Sequence, residues 1–134
     1  MWGEGMGYTQ MNLKDVEDAA PKFGMAPDVE ARFARRPLEC EQLALSYQRL
    51  APNARMPFGH KHAAQEEIYV LLDGTARVKL ENEIVELRRL DALRVDPETM
   101  RAFEAGSEGA VFLAFGAPGS DQNDAEMVSG WWAA

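Results

Sequence analysis

From Leu38 to Phe115 the sequence is a series of short apolar runs, and residues that favour turns separate them. Apolar and polar side chains alternate within several runs, as they do around Leu43, Leu45 and Tyr47. A period of two places successive side chains on opposite faces of a strand, so that one face is buried. Helical spacing is confined to the first third of the chain. Many short strands separated by turns predict an all-β sandwich or barrel.

The length of 134 residues suits one domain with a sizeable core and is too short for two. We predict a partly helical N-terminal arm at residues 1–37, a barrel at 38–116 and a C-terminal tail at 117–134. The tail ends in Trp131 and Trp132. Because two adjacent indoles are costly to leave in water, we expect them to pack on the barrel or on a partner subunit.

Charge and cysteine content limit the partners and the compartment. The formal net charge of −8 and a pI near 4.7 argue against nucleic acid, which needs a basic surface. No apolar stretch approaches the roughly 20 residues that cross a bilayer, and the N-terminus lacks the pattern of a secretory signal. Cys40 is the single cysteine and fits a reducing compartment. We therefore expect a cytoplasmic protein without a nucleic-acid or membrane partner.

Both histidines of the protein, His60 and His62, lie two residues apart near the middle of the chain. In a strand, residues at this spacing share a face, so the two imidazoles would project side by side. Two glutamates, Glu66 and Glu67, follow at the start of the next apolar run. Two imidazoles and a carboxylate brought together on paired strands predict a divalent-metal site.

Two turn signals lie within the apolar stretches that follow. Ile68–Leu72 is rich in β-branched and aromatic residues and ends in Asp73-Gly74, which predicts a hairpin into a further strand at 75–80. Gly106–Gly109 likewise predicts a turn between two strands. Ile68–Leu72 is also apolar on both faces, so we expect the arm or a second subunit to cover its outer face.

The histidine stretch resembles the first motif of the cupin family. That motif reads His-x-His, three or four residues, Glu, six residues and Gly. Here His60 and His62 are followed by four residues, then Glu67, six residues and Gly74. The resemblance implies that His60, His62 and Glu67, which we call the triad, are metal ligands; Glu66 lacks the six-residue interval.

The resemblance extends over about Leu43 to Phe115 and implies a cupin-type jelly-roll β-barrel. Cupins are often dimers, so the resemblance also implies a homodimer. Such a dimer would place a second subunit on the outer face of Ile68–Leu72.

The second cupin motif is only partly present. Asp91 and Pro97 hold their expected places, but Arg101 stands where the family has its fourth ligand, a histidine. No third histidine exists to replace it. Arginine stays protonated and offers only N–H groups, so it cannot ligate a metal.

In one interpretation the triad alone holds a divalent ion, Fe(II), Mn(II), Ni(II) or Zn(II). Arg101 then grips an anionic substrate, and Tyr69 and Phe103 line the pocket beside it. The family resemblance then implies a metal-dependent enzyme, such as an oxygenase or isomerase, that acts on a small anionic molecule. No residue is singled out as catalytic.

Two alternatives stay open at this point. In the first, no metal binds: Arg101 pairs with Glu67, and the histidines serve as acid–base or hydrogen-bonding groups, as in metal-free sugar-epimerase cupins. In the second, the site is a relic and the barrel is a binding or interaction module, such as a non-catalytic domain that binds a small molecule. The partner that we expect is a small-molecule ligand.

Overall fold

The computed structural model describes residues 7–119 and 124–133, and the all-β prediction is confirmed. Within these residues no helix is long and apolar enough to span a membrane. Helical structure there includes short 3-10 turns at Leu13–Asp15, Ala20–Phe23 and Trp131–Ala133. The strands are β1 (Val29–Phe33), β2 (Ala44–Leu50), β3 (Phe58–His62), β4 (Glu66–Leu80), β5 (Glu83–Leu87), β6 (Ala92–Val95), β7 (Arg101–Ala117) and β8 (Ala125–Ser129).

The long strands β4 and β7 pair antiparallel and hold the sheet together. The first half of β4 also pairs with β6, and its second half pairs with β5. The second half of β7 pairs with β2, which pairs with β1, whereas the first residue of β7 pairs with β3, which pairs with β8. The sheet therefore has a first half, β1-β2-β7-β4-β6, and a second half, β8-β3-β7-β4-β5.

The two halves meet at a bend in β4 and β7, where the sequence had predicted turns. The predicted hairpin at Asp73-Gly74 and the predicted turn at Gly106–Gly109 are both wrong, because each strand continues through its glycines. The β4–β7 register shifts on either side of Gly74, whose φ is 77°. A Cβ on Gly74 would lie 1.9 Å from the carbonyl oxygen of Gly109. Some bulges, like the tight turns of hairpins, place a glycine at positive φ, so the sequence signal was ambiguous.

One cluster of buried side chains draws on both halves of the sheet. Leu71 from the first half of β4 and Val78 from the second half have no exposed surface. Phe103 and Phe112, from the two halves of β7, have ring centroids 4.8 Å apart. The core therefore lies between the two halves, on the face that also carries the triad.

Part of the predicted arm belongs to the sheet. All five residues of β1 are register partners of β2 residues, and Ala20 and Met25 are buried in the core cluster. The side chain of Asn12 accepts the backbone N–H of Lys14 at the first 3-10 turn. The boundaries between arm, barrel and tail stay predictions.

The described C-terminal segment lies against the outer face of the second half. A Cβ on Gly59 would lie 2.7 Å from the ring of Trp131, so the indole rests on the β3 backbone. Lys79 Nζ donates to the carbonyl oxygens of Trp131 and Trp132, at 3.0 and 3.1 Å. Trp132 is buried, with the Arg55 guanidinium 4.9 Å from its ring centroid.

Candidate metal centre

The triad side chains meet on the inner face of the sheet. His60 and His62 lie on β3, and their ring centroids are 5.1 Å apart. Nε2 of each histidine is 3.3 Å from Oε1 of Glu67, the second residue of β4. One ligand atom from each residue lies within 4.8 Å of the other two. The structure therefore brings the three sequence-predicted ligands together.

The donor set fits a divalent transition metal. Two ligands that each lie about 2.1 Å from one ion are separated by about 3.0 to 3.4 Å at octahedral to tetrahedral angles. The 3.3 Å separations from each imidazole nitrogen to Glu67 agree with this spacing. Burial lowers the pKa of His60, and Arg101 adds to this against the opposing effect of Glu67, so the ring is neutral and able to ligate.

His62 is held in one tautomer by a carboxylate outside the triad. Its Nδ1 lies 3.0 Å from Oδ2 of Asp124. Because an ionised carboxylate only accepts, Nδ1 carries a proton, and Nε2 is the nitrogen left to ligate a metal. Nε2 is buried and has no hydrogen-bond partner among the described residues. Nε2 also lies 3.3 Å from Oε1 of Glu67, so a cation could be held between these two buried atoms.

Both oxygens of Glu67 are also hydrogen-bonded to protein groups. Oε1 accepts from the Tyr69 hydroxyl at 2.5 Å and from Arg101 Nη2 at 2.7 Å, while Oε2 accepts from Gln65 Nε2 at 3.2 Å. Burial opposes ionisation, but the hydrogen bonds from His60 and Tyr69 outweigh it and hold the pKa of Glu67 well below its usual value. The carboxylate is therefore charged and fixed in orientation.

Arg101 is fully buried and directed at protein acceptors. Nε donates to the Tyr69 hydroxyl at 3.2 Å, and Nη1 donates to the carbonyl oxygens of Thr99 and Pro97 at 2.7 and 3.2 Å. Nη2 donates to Glu67. The guanidinium therefore acts on Glu67 in this arrangement. Its role in substrate binding stays a prediction.

Tyr69 and Phe103, the other predicted pocket residues, are both buried and have ring centroids 4.7 Å apart. Burial and the Glu67 charge raise the pKa of Tyr69 well above its usual value, so the hydroxyl remains a donor. Phe103 packs in the core against Phe112. Contact of either ring with a substrate stays a prediction.

Two residues of the centre were not predicted from the sequence. Gln65 lies two positions before Glu67, just ahead of β4, so a period of two extended by one residue would have indicated it. Asp124 follows His62 by 62 positions, and no local spacing connects them.

Comparison with known proteins assigns the fold. No protein-family model matches the chain. The crystal structure of a cupin protein from Bacteroides fragilis aligns with a TM-score of 0.69 over 87% of this chain and 89% of that chain, at 24% identity. The chain has the cupin fold. The predicted jelly-roll β-barrel is thereby confirmed.

Two further similar proteins are longer than the region that they share with this chain. A variant of oxalate decarboxylase from Bacillus subtilis aligns with a TM-score of 0.76 and 25% identity, over 92% of this chain but only 33% of the enzyme. An uncharacterized protein of Methanocaldococcus jannaschii is 31% identical over 70 residues, which make up 52% of this chain and 56% of that protein. This chain therefore matches little more than half of the archaeal protein and about a third of the decarboxylase.

Proposed function

We propose that this protein is a small metal-binding cupin whose triad holds Fe(II), Mn(II), Ni(II) or Zn(II) and which acts on a small anionic molecule. The carrying observation is the buried Nε2 of His62, which has no hydrogen-bond partner among the described residues and lies 3.3 Å from Oε1 of Glu67. A cation bound between Nε2 of His62 and Oε1 of Glu67 would have both atoms as ligands. Three protein ligands leave coordination positions open, and the bound ion would supply a Lewis acid.

The charges around the triad support an anionic ligand only when an ion is bound. Without it, the Glu67 and Asp124 carboxylates outnumber the single Arg101 guanidinium. A divalent ion reverses the sign of the centre, because the ligating imidazoles are neutral. Oxalate decarboxylase, which is similar in fold, is named for a small dicarboxylate. We therefore expect carboxylates such as oxalate to bind the loaded protein and not the metal-free protein.

A metal-free binding module is the second candidate, and the contacts of Glu67 favour it. Arg101 and Tyr69 already donate to the oxygen that would face the ion. A guanidinium close to a divalent ion also repels it by several kcal/mol at an effective dielectric of about 20. In this alternative, the Glu67–Arg101 pair is a fixed polar wall of the pocket, and the ligand is a small molecule bound without catalysis.

Elemental analysis of protein purified without chelator separates the two candidates. We expect close to one transition-metal ion per chain, and loss of that ion in Glu67→Ala and in the double variant His60→Ala/His62→Ala. Glu66→Ala is the matched control, because Glu66 is exposed and pairs with Arg94 at 3.1 Å. A metal-free wild type that also fails to bind added Fe(II), Mn(II), Ni(II) or Zn(II) would overturn the metal site and leave the binding module.

We also propose that the protein is a homodimer joined through the outer face of the first half of the sheet. Phe115 lies between its register partners Leu45 and Ile68, and both Phe115 and Ile68 are 42% exposed. Sedimentation velocity should give a dimer for wild type and a monomer for Phe115→Glu. The control Ile84→Glu, at an exposed position on β5, should stay dimeric. A monomeric wild type would contradict this proposal.

The cytoplasmic location stays a prediction. Cys40 is a free thiol, as a reducing compartment would allow.

A further inference from the structure

We propose that Asp124 is a positioning residue of the metal centre, which fixes the tautomer and the ring plane of His62. The inference deepens the proposed metal-binding function and rests on it where it concerns affinity. The observation is the 3.0 Å contact between Oδ2 of Asp124 and Nδ1 of His62, on the ring edge opposite the triad. A metal-ligating histidine needs such an acceptor at its second nitrogen to hold its lone pair toward the ion.

Asp124 is itself held in place by backbone groups. Its Oδ1 accepts the N–H groups of Ala63 and Ala64 at 3.1 and 3.0 Å, and its Oδ2 also accepts the N–H of Gln65 at 3.1 Å. These three residues form the connection from β3 to β4, so the carboxylate fixes the loop between the histidines and Glu67. Burial opposes ionisation of Asp124, but the backbone donors and His62 outweigh it and lower its pKa. The carboxylate is thus a charged acceptor with a rigid support.

Strand β3, which carries both histidines, is paired mainly with β8. β3 has a single register pair with β7, His60 with Arg101, but five with β8, from Phe58 with Ser129 to His62 with Ala125. Asp124 immediately precedes β8, at the end of the ladder where His62 lies. The C-terminal segment thereby becomes part of the metal centre although it contributes no ligand.

His62 and His60 differ in this respect. Nε2 of His60 contacts both Glu67 and the Tyr69 hydroxyl, at 3.3 and 3.4 Å. Across the described residues, the Nδ1 of His60 has no carboxylate partner, so its tautomer is not fixed in the same way. Because Asp124 contacts the His62 ring at Nδ1, its effect on ring protonation should be specific to His62.

Asp124→Asn tests this role most directly. The amide oxygen can still accept from Ala63 and Ala64, while the N–H₂ group takes the place of Oδ2 beside His62. Facing this donor, Nδ1 of His62 must accept, which moves the ring proton to Nε2 and points it at the site. Nitrogen-15 NMR of the two histidine rings in metal-free protein reads the tautomer directly. We expect His62 protonated at Nδ1 in wild type and at Nε2 in Asp124→Asn, with His60 unchanged.

Competition titration of Zn(II) against a chelator then measures the consequence. We expect Asp124→Asn to bind about 10- to 100-fold more weakly than wild type. Asp18→Asn is the matched control, because Asp18 accepts the backbone N–H groups of Ala20 and Ala31 away from the triad. Far-UV circular dichroism verifies that each variant is folded.

The outcomes are distinguishable. An unchanged His62 tautomer in folded Asp124→Asn overturns the positioning role, as does unchanged Zn(II) affinity beside a wild type that binds. A wild type that binds no Zn(II), Fe(II), Mn(II) or Ni(II) overturns the proposed metal function. The tautomer measurement still decides whether Asp124 controls His62 in that case.

Discussion

Nη2 of Arg101 donates to Oε1 of Glu67 at 2.7 Å, at the position where the second cupin motif has a ligand histidine. Where that motif has a nitrogen lone pair, Arg101 has a positive charge. This charge lies against Glu67, the carboxylate of the triad. Because the guanidinium is fully buried, neither partner can be removed without leaving the other charge uncompensated. Several consequences of this pair can be measured.

Replacing the Arg101 guanidinium by an imidazole should lower the stability of the metal-free protein and raise its affinity for metal. Arg101→His loses the donors to Glu67, Tyr69 and Thr99, so we expect the metal-free variant to be less stable by about 3 to 5 kcal/mol. It also removes the repelling charge and adds a nitrogen ligand, so Zn(II) should raise its Tm more than that of wild type. Urea unfolding and thermal scans with and without Zn(II) test both parts.

Arg101→Gln separates the two causes, because it removes the charge without adding an imidazole. A larger Zn(II)-dependent rise in Tm for the histidine variant than for the glutamine variant would assign the gain to ligation. Equal rises would assign it to the lost repulsion alone. A rise no larger than in wild type would contradict the view that Arg101 limits metal affinity.

The Tyr69 hydroxyl links the members of this pair, since it donates to Glu67 at 2.5 Å and accepts from Arg101 Nε at 3.2 Å. Tyr69→Phe removes both contacts in a buried setting and leaves Arg101 Nε without its acceptor. We expect a loss of about 1 to 3 kcal/mol in the free energy of unfolding, measured in urea. Tyr47→Phe is the control, because the Tyr47 ring packs beneath Lys14, away from the triad. Equal losses in the two variants would argue against a special role for the Tyr69 hydroxyl.

The local part of the site could be predicted from sequence, and the non-local part could not. The spacing of His60 and His62 fixed their common face, and the interval to Glu67 matched a family motif. Asp124 reaches His62 only because β8 pairs with β3, a long-range pairing that no local pattern encodes. The contacts of Arg101 likewise depend on its register opposite His60, which the chain fixes only once β7 and β3 are aligned.

The fold class could be predicted from period-two alternation, whereas the course of its two longest strands could not. A glycine with positive φ is needed both in a hairpin and in a bulge, so Asp73-Gly74 gave the same signal for either. What decides between them is the approach of the β7 backbone at Gly109. That contact joins residues far apart in sequence.

At the bend, the cost of steric overlap can be separated from the cost of positive φ by comparing two glycines. Gly74→Ala and Gly24→Ala both place a side chain at positive φ, 77° and 70°, which costs roughly 1 to 2 kcal/mol. A Cβ at Gly24 meets nothing within 4 Å, whereas at Gly74 it overlaps the Gly109 carbonyl. We expect urea unfolding to give a small loss for Gly24→Ala and more than about 3 kcal/mol for Gly74→Ala. Similar losses would mean that the two strands separate easily at the bend.

The last prediction concerns acid stability and a charge cluster outside the site. Glu30 on β1 is buried, and its carboxylate contacts Lys14 Nζ at 2.6 Å, Arg32 Nε at 2.6 Å and Arg49 Nε at 3.0 Å. Burial opposes ionisation, but the three cations outweigh it and lower the pKa of Glu30 from 4.5 to about 2. A carboxyl group whose pKa is lower in the folded state stabilises the fold fully above its unfolded-state pKa. That stabilisation is lost as the pH falls toward the folded-state value.

Glu30→Gln should therefore be less stable than wild type at pH 7, by about 2 kcal/mol once screening at the partly exposed Lys14 and Arg49 is allowed for. The difference should shrink steadily between pH 4.5 and 2, because wild type then loses the contribution that the variant never had. Urea unfolding across this range measures the difference. Glu17→Gln is the control, because its pair with Lys22 is exposed on both sides and should contribute little at any pH. A difference between wild type and Glu30→Gln that stayed constant with pH would mean that the cluster acts through packing rather than through the Glu30 charge.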